Sequence, residues 1–154
     1  MTLLSQDFID TYKDKTSPWG FGGLGEVVYL RTYSRPIEEL GRNETWTETL
    51  VRAINGAADI GTPLNVFEAE ALFDHMFNLR CSLSGRALWQ LGTPLVKKFN
   101  ATSLNNCYFT NIEKVEDFEL LFEYLMLGGG VGFSVERSKI HDLPQVKAGV
   151  SITH

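Results

Sequence analysis

Asn105-Asn106-Cys107-Tyr108-Phe109-Thr110 and, some twenty residues later, Leu127-Gly128-Gly129-Gly130-Val131-Gly132-Phe133 bound the stretch that decides the fold. Strand formers concentrate in Cys107 to Thr110, within an alternating run from Ser103 to Ile112. Val115 to Leu127 then reads as a helix. Val115, Phe118, Leu121, Phe122 and Leu125 recur on one side, and Glu116 and Asp117 stand in the first turn, where the helix dipole favours acids. Val131 to Val135 suits a second strand. Strand, helix and strand over roughly thirty residues is the signature of a βαβ unit and predicts a parallel pair.

The same stretch carries the chemistry. In a strand, Asn106 and Tyr108 point to the face opposite Cys107. Burying Asn105 or Asn106 without partners is costly, so at least one is expected to face a polar cavity. Free cysteine also often fills a core, and spacing alone leaves Cys107 evenly poised between packing and function. One glycine suffices to cap a helix. Three in succession, followed by Gly132, exceed that need, and bare backbone suits the close approach of a ligand.

Upstream, Ser84-Gly85-Arg86 and Gly92-Thr93-Pro94 bracket the short apolar piece Ala87-Leu88-Trp89. Before them lie two helices with reciprocal capping signals. Thr45 with Glu48 precedes Trp46, Leu50, Ile54 and Ala57. Asn65 with Glu68 opens a broad apolar surface of Val66, Phe67, Ala69, Leu72, Phe73, Met76 and Phe77. The link Gly61-Thr62-Pro63 is short enough to predict an antiparallel pair. Residues 5 to 15 read as a short helix capped by Ser5, with Phe8, Ile9 and Tyr12 on one side. Pro18 and the glycines at 20, 22, 23 and 25 break regular structure, and Glu26 to Tyr33 (EVVYLRTY) is expected as a short strand. The glycine loop lacks the preceding strand and the Lys-Ser/Thr ending of a phosphate-binding loop, so it reads as a plain turn. Cys81, at the end of an apolar helix, is expected to pack. The change of character near residue 81 divides a helical region, 1–81, from an α/β region, 82–154.

Composition narrows the function classes. Of 154 residues, 44% are apolar and 21% charged, as in ordinary globular proteins, and the net charge of −5 argues against broad nucleic-acid binding. Two cysteines, Cys81 and Cys107, are too few for a disulfide scaffold and suit a reducing cytoplasm. No apolar run reaches membrane-span length, and the N-terminus does not resemble a signal peptide. His75, His141 and His154 have no metal-ligand spacing, so no metal site is expected. Glu116, Asp117, Glu119 and Glu123 read as a solvated helix face.

Together these motifs resemble the catalytic chain of ribonucleotide reductases, most closely the monomeric adenosylcobalamin-dependent (class II) branch. The resemblance runs through Tyr29-Leu30-Arg31-Thr32-Tyr33-Ser34-Arg35, Glu39-Leu40-Gly41-Arg42 with Trp46 and Glu48-Thr49, and Ser84-Gly85-Arg86-Ala87-Leu88-Trp89 with Gly92-Thr93. It continues through Ser103 to Phe109 and Leu127 to Val135. It implies an α/β fold: a helical N-terminal region followed by the first βαβ unit of a ten-stranded α/β barrel, incomplete in this chain. Cys107 would lie on the first barrel strand and Val131 to Val135 on the second.

The implied reaction makes deoxyribonucleotides for DNA synthesis by replacing the ribose 2′-hydroxyl with hydrogen. A thiyl radical abstracts the 3′-hydrogen, and a cysteine pair supplies the reducing equivalents and ends as a disulfide. Cys107 matches one member of that pair, in a setting shielded from bulk solvent. Ser84, Asn106 and Gly130 match substrate-binding positions. Adenosylcobalamin is expected to bind parts of the enzyme outside this chain, which itself holds no cofactor-binding residue by this resemblance. The implied partners are a ribonucleoside di- or triphosphate, a thioredoxin-like reductant and the remainder of the barrel, possibly as a separate chain; nucleic acid and membrane are not among them. The partner reducing cysteine and the radical cysteine are not in this sequence, so the expectation is an N-terminal part of the enzyme, inactive without the rest. The alternatives are a non-catalytic binding or assembly remnant of the same fold, a diiron-dependent relative, and a small thiol oxidoreductase using Cys81 and Cys107. Lack of a Cys-x-x-Cys weighs against the last. Intact Cys107 and the full glycine run favour a reductase over a remnant.

Overall fold

The computed structural model describes residues 2–134 and 136–141. In chain order the helices are α1 (Gln6–Asp10), α2 (Leu24–Thr32), α3 (Trp46–Asp59), α4 (Val66–Phe77), α5 (Gly85–Gln90), α6 (Pro94–Phe99), α7 (Asp117–Met126) and α8 (Arg137–Ile140). The strands are β1 (Pro36–Ile37), β2 (Arg42–Asn43), β3 (Cys107–Asn111) and β4 (Gly130–Ser134).

Both capping boxes form as the sequence predicts. Thr45 Oγ1 accepts from the Glu48 N–H at 3.3 Å, and the Glu48 carboxylate takes the Thr45 N–H at 2.7 Å. Asn65 and Glu68 repeat the exchange at 2.9 and 3.0 Å. Arg42 also grips Glu48, and this bond, above all, holds the Glu48 carboxyl down to about 2.

Between α3 and α4 lies the main core. Leu50 and Ile54 face Ala69, Phe73, Met76 and Phe77, with Leu4, Tyr12 and Leu88 closing the cluster. Burying each large side chain of this kind stabilises the fold by roughly 1.5–3 kcal/mol. The short helix α1, capped by Ser5 as expected, delivers Tyr12 onto this core. Its ring meets Phe73 and Phe77 edge-on at 4.9 and 4.8 Å. Its hydroxyl donates to Asp74 at 2.7 Å; burial, and then this bond, push the phenol up to about 12.

The expected strand at Glu26 to Tyr33 is instead helical, within α2. Val27 and Val28, the residues that suggested a strand, lie exposed on it. Tyr29 fixes the segment: it is buried, stacked on Trp19 at 5.5 Å and edge-on to Trp46 at 5.0 Å. Its hydroxyl bonds Thr49 at 2.9 Å, and burial raises its pKa. A single well-packed aromatic thus overrides the local preference of its neighbours.

By contacts the chain forms two compact units, one spanning 1–104 and one beginning at Asn105. The stretch 82–104 packs with the helical part. Leu88 of α5 joins the α3–α4 core, while Leu91 and Val96 form a second cluster with Ala53. Cys81 is exposed rather than packed, because α4 ends at Phe77 and the chain turns away through Leu79 at φ 55°.

In the second unit, β3 and β4 pair in parallel, as the βαβ pattern predicts, with Cys107 opposite Gly130 and Asn111 opposite Ser134. The connection begins with a turn held by Asp117, whose carboxylate accepts the Glu113 and Lys114 N–H groups at 2.8 and 3.0 Å. Those two bonds lower its pKa.

Candidate active site

The face of each β3 residue is set by what α7 covers. Tyr108 stacks on Tyr124 of α7, with ring centroids 4.2 Å apart and planes within 8°. Tyr108 and Thr110 are therefore half-buried on the helix side, and Cys107, Phe109 and Asn111 lie exposed on the other. In-register neighbours of a parallel pair share a face, so Gly130 and Gly132 join Cys107 and Phe109. The result is a thiol beside a backbone without side chains, one strand spacing of about 4.8 Å away.

The glycine run resolves into separate duties. Gly128, at φ 84°, takes the left-handed position after α7. Its N–H bonds the Leu125 carbonyl at 2.9 Å and that of Gly129 reaches Tyr124 at 3.1 Å, a Schellman closure. Gly129 is bare for a steric reason: a Cβ there would lie 2.3 Å from the Tyr108 ring. A Cβ at Gly132 would press on the Phe109 ring at 3.2 Å. Gly130 is different. The nearest atom to a Cβ there is the Asn106 carbonyl at 3.7 Å, an ordinary contact, so among the described residues no packing demand explains the glycine.

Three of the four site residues read from the sequence therefore come together. Gly130 donates its N–H to the Asn106 carbonyl at 2.8 Å, and Cys107 follows directly in register. The thiol is exposed, not shielded from solvent as expected: Gly130, opposite it in register, brings no side chain to cover it. Ser84 belongs to the first unit, where it caps α5 by accepting from the Ala87 N–H at 3.3 Å. Sequence reading missed Tyr124, whose spacing gives no sign that it orients the strand. It also missed Glu44 and Arg52, a buried pair joined at 2.6 Å, which no linear pattern announces.

Among the described residues no grouping of His, Cys, Asp and Glu could hold a metal ion, and no helix is long and apolar enough to cross a membrane. A cavity of about 890 Å³ opens in the first unit beside Tyr12, Trp19 and Trp46. Its rim mixes Lys13 and Lys15 with Asp10 and Glu26, so it favours no ligand charge.

Residues 4–93 match the ribonucleotide reductase alpha domain. The chain belongs to that family. Similar proteins include the adenosylcobalamin-dependent ribonucleoside-triphosphate reductases of Lactobacillus acidophilus and Lactobacillus leichmannii, 39% and 36% identical across 97% of this chain. The Euglena gracilis reductase of the same description is 34% identical across 85% of the chain. A crystal structure of a B12-dependent (class II) ribonucleotide reductase superposes with a TM-score of 0.76 at 37% identity, over 96% of this chain and 25% of that one. The chain thus spans about a quarter of the length of these reductases.

Proposed function

We propose that this chain is part of an adenosylcobalamin-dependent ribonucleotide reductase and that Cys107 is one of its two reducing thiols. The observation that carries the reading is the parallel register of Cys107 with Gly130 on the face turned away from α7. In an α/β barrel the helices lie outside and that face looks inward. There a nucleotide could lie over Gly130 with its ribose beside the sulfur. Asn106 and Gly130 would then bound the substrate, with Ser84 as a further contact. The relatives are named as triphosphate reductases, so a ribonucleoside triphosphate is the substrate we assign.

In the overall change the ribose loses its 2′-hydroxyl as water and gains a hydrogen, while two thiols become one disulfide. The Cys107 S–H would give its proton to the departing hydroxyl, and its sulfur would then bond that of the second cysteine. A thioredoxin-type dithiol would restore both thiols. Adenosylcobalamin supplies the initiating radical in reductases of this type. The bare face, two strands wide and roughly 5 Å between strand axes, offers no cradle for a corrin ring. The cofactor is therefore assigned to other parts of the enzyme.

Cys107→Ser in the complete reductase tests the assignment. Deoxynucleotide formation with a thioredoxin-type reductant should fall to background while substrate still binds. Undiminished formation would sink the assignment of Cys107 as a reducing thiol.

A further inference from the structure

In the first unit two arginines converge on one small element, the six-residue helix α5 that Ser84 caps. A helix of that length is not stable by itself. Its last carbonyls, which have no partners inside the helix, are taken by two arginines from distant segments. Arg52 Nη1 donates to the Leu91 carbonyl at 2.5 Å and Nη2 to that of Leu88 at 2.9 Å. Arg35 donates to the Trp89 carbonyl at 3.0 Å and lies 4.7 Å over the Trp89 ring.

Arg52 is itself fixed. Its Nε meets Glu44 Oε1 at 2.6 Å and its Nη2 reaches Glu44 Oε2 at 3.0 Å, a forked pair. Thr49 donates to the same carboxylate at 2.8 Å, and Ser34 to the Glu44 carbonyl at 2.6 Å. Backbones close the arrangement. A Cβ on Gly56 of α3 would come within 2.2 Å of the Gly92 nitrogen, and one on Gly85 within 2.6 Å of the Tyr33 hydroxyl. The helix is therefore held at both ends.

We propose that Arg52, oriented by Glu44 and assisted by Arg35, is a positioning residue that sets the Ser84 hydroxyl for substrate. This rests on the assignment of Ser84 as a substrate contact. A hydroxyl that accepts the Ala87 N–H still has its own proton to donate, so capping and substrate contact are compatible. Arg52 touches no substrate; it acts through the angle and height of α5.

The test is a double-mutant cycle in the complete reductase, reading KM and kcat for the nucleotide. Ser84→Ala should raise KM by about tenfold, the weight of one hydrogen bond. Arg52→Met should raise KM by a similar factor with a smaller change in kcat. In the Ser84→Ala background, Arg52→Met should then add nothing to KM. Arg52→Lys keeps the charge but not the fork, and should give a smaller rise. If Arg52→Met unfolds the enzyme, Arg35→Met serves in the same cycle, since it removes only the Trp89 contact.

An Arg52 variant that loses active enzyme at unchanged KM, or whose KM effect persists in full without Ser84, overturns the positioning role. Ser84→Ala with unchanged KM removes the substrate contact and the inference with it. The proposed chemistry of Cys107 is judged separately by Cys107→Ser, so the two failures are distinguishable.

Discussion

The unit spanning 1–104 and the unit that follows it carry the same kind of apolar stripe and treat it in opposite ways. On α3 and α4 the stripe finds its partner inside the chain: Leu50, Ile54, Ala69, Phe73 and Met76 are fully buried. On α7 only Leu121 is buried, while Phe122 is 59% and Met126 87% exposed. Helical periodicity declares that a face needs cover; it does not say who supplies it. The first unit closes the α3–α4 seam on itself, and the second presents both an apolar helix and an open sheet face.

The sharpest way to break this contrast is to truncate a ring on each side. Phe73→Ala in this chain should cost about 3–5 kcal/mol of stability in denaturant unfolding. Phe122→Ser should change it by less than about 0.5 kcal/mol, as for other surface substitutions. Equal costs would show that α7 is covered after all. Repeating Phe122→Ser in the complete reductase sharpens the point, because there the cost should approach that of a core truncation.

The glycine run divides the second unit further. Gly129→Ala forces a methyl into the Tyr108 ring and should destabilise by roughly 1–3 kcal/mol. Gly128→Ala meets the left-handed penalty, about 1–2 kcal/mol. Gly130→Ala should be near neutral for unfolding yet impair turnover of the complete reductase. A large unfolding cost at Gly130 would mean that its bareness serves the fold rather than a substrate.

Much of this was legible from the residues. The capping boxes announced α3 and α4 because their signal is local, three residues apart. The βαβ unit was readable because strand and helix periods alternate cleanly from Cys107 to Ser134. The strand expected at Glu26 to Tyr33 failed because Tyr29 is held by Trp19, Trp46 and Thr49, partners outside its own segment that local strand propensity does not register. The Glu44–Arg52 pair is only eight residues apart, but Glu44 precedes α3 and Arg52 lies on it, a spacing that no local pairing rule covers. Exposure at Cys81 and Cys107 was misjudged because cysteine's usual burial is an average over sites, and each residue here sits where its own segment leaves it open.

Two smaller effects complete the comparison within the first unit. Thr45→Ala should cost about 1 kcal/mol by removing one half of a capping box, read as a lowered unfolding midpoint. Acid should act through Glu48, whose folded pKa of about 2 lies below its ordinary 4.5. Its stabilisation is present above pH 4.5 and is lost as pH falls toward 2. Glu48→Gln should flatten that part of the stability–pH curve, with a modest amplitude because the pair with Arg42 is partly exposed.

The closed core of residues 1–104 has a consequence on the ribosome. Every partner that Phe73, Leu50 and Leu88 need is translated before Asn105 leaves the exit tunnel. At a few to twenty residues per second, the helical unit has seconds to fold before the cysteine strand emerges. The nascent chain can thus shelter its largest apolar surface early, before the thiol strand and its helix have been made.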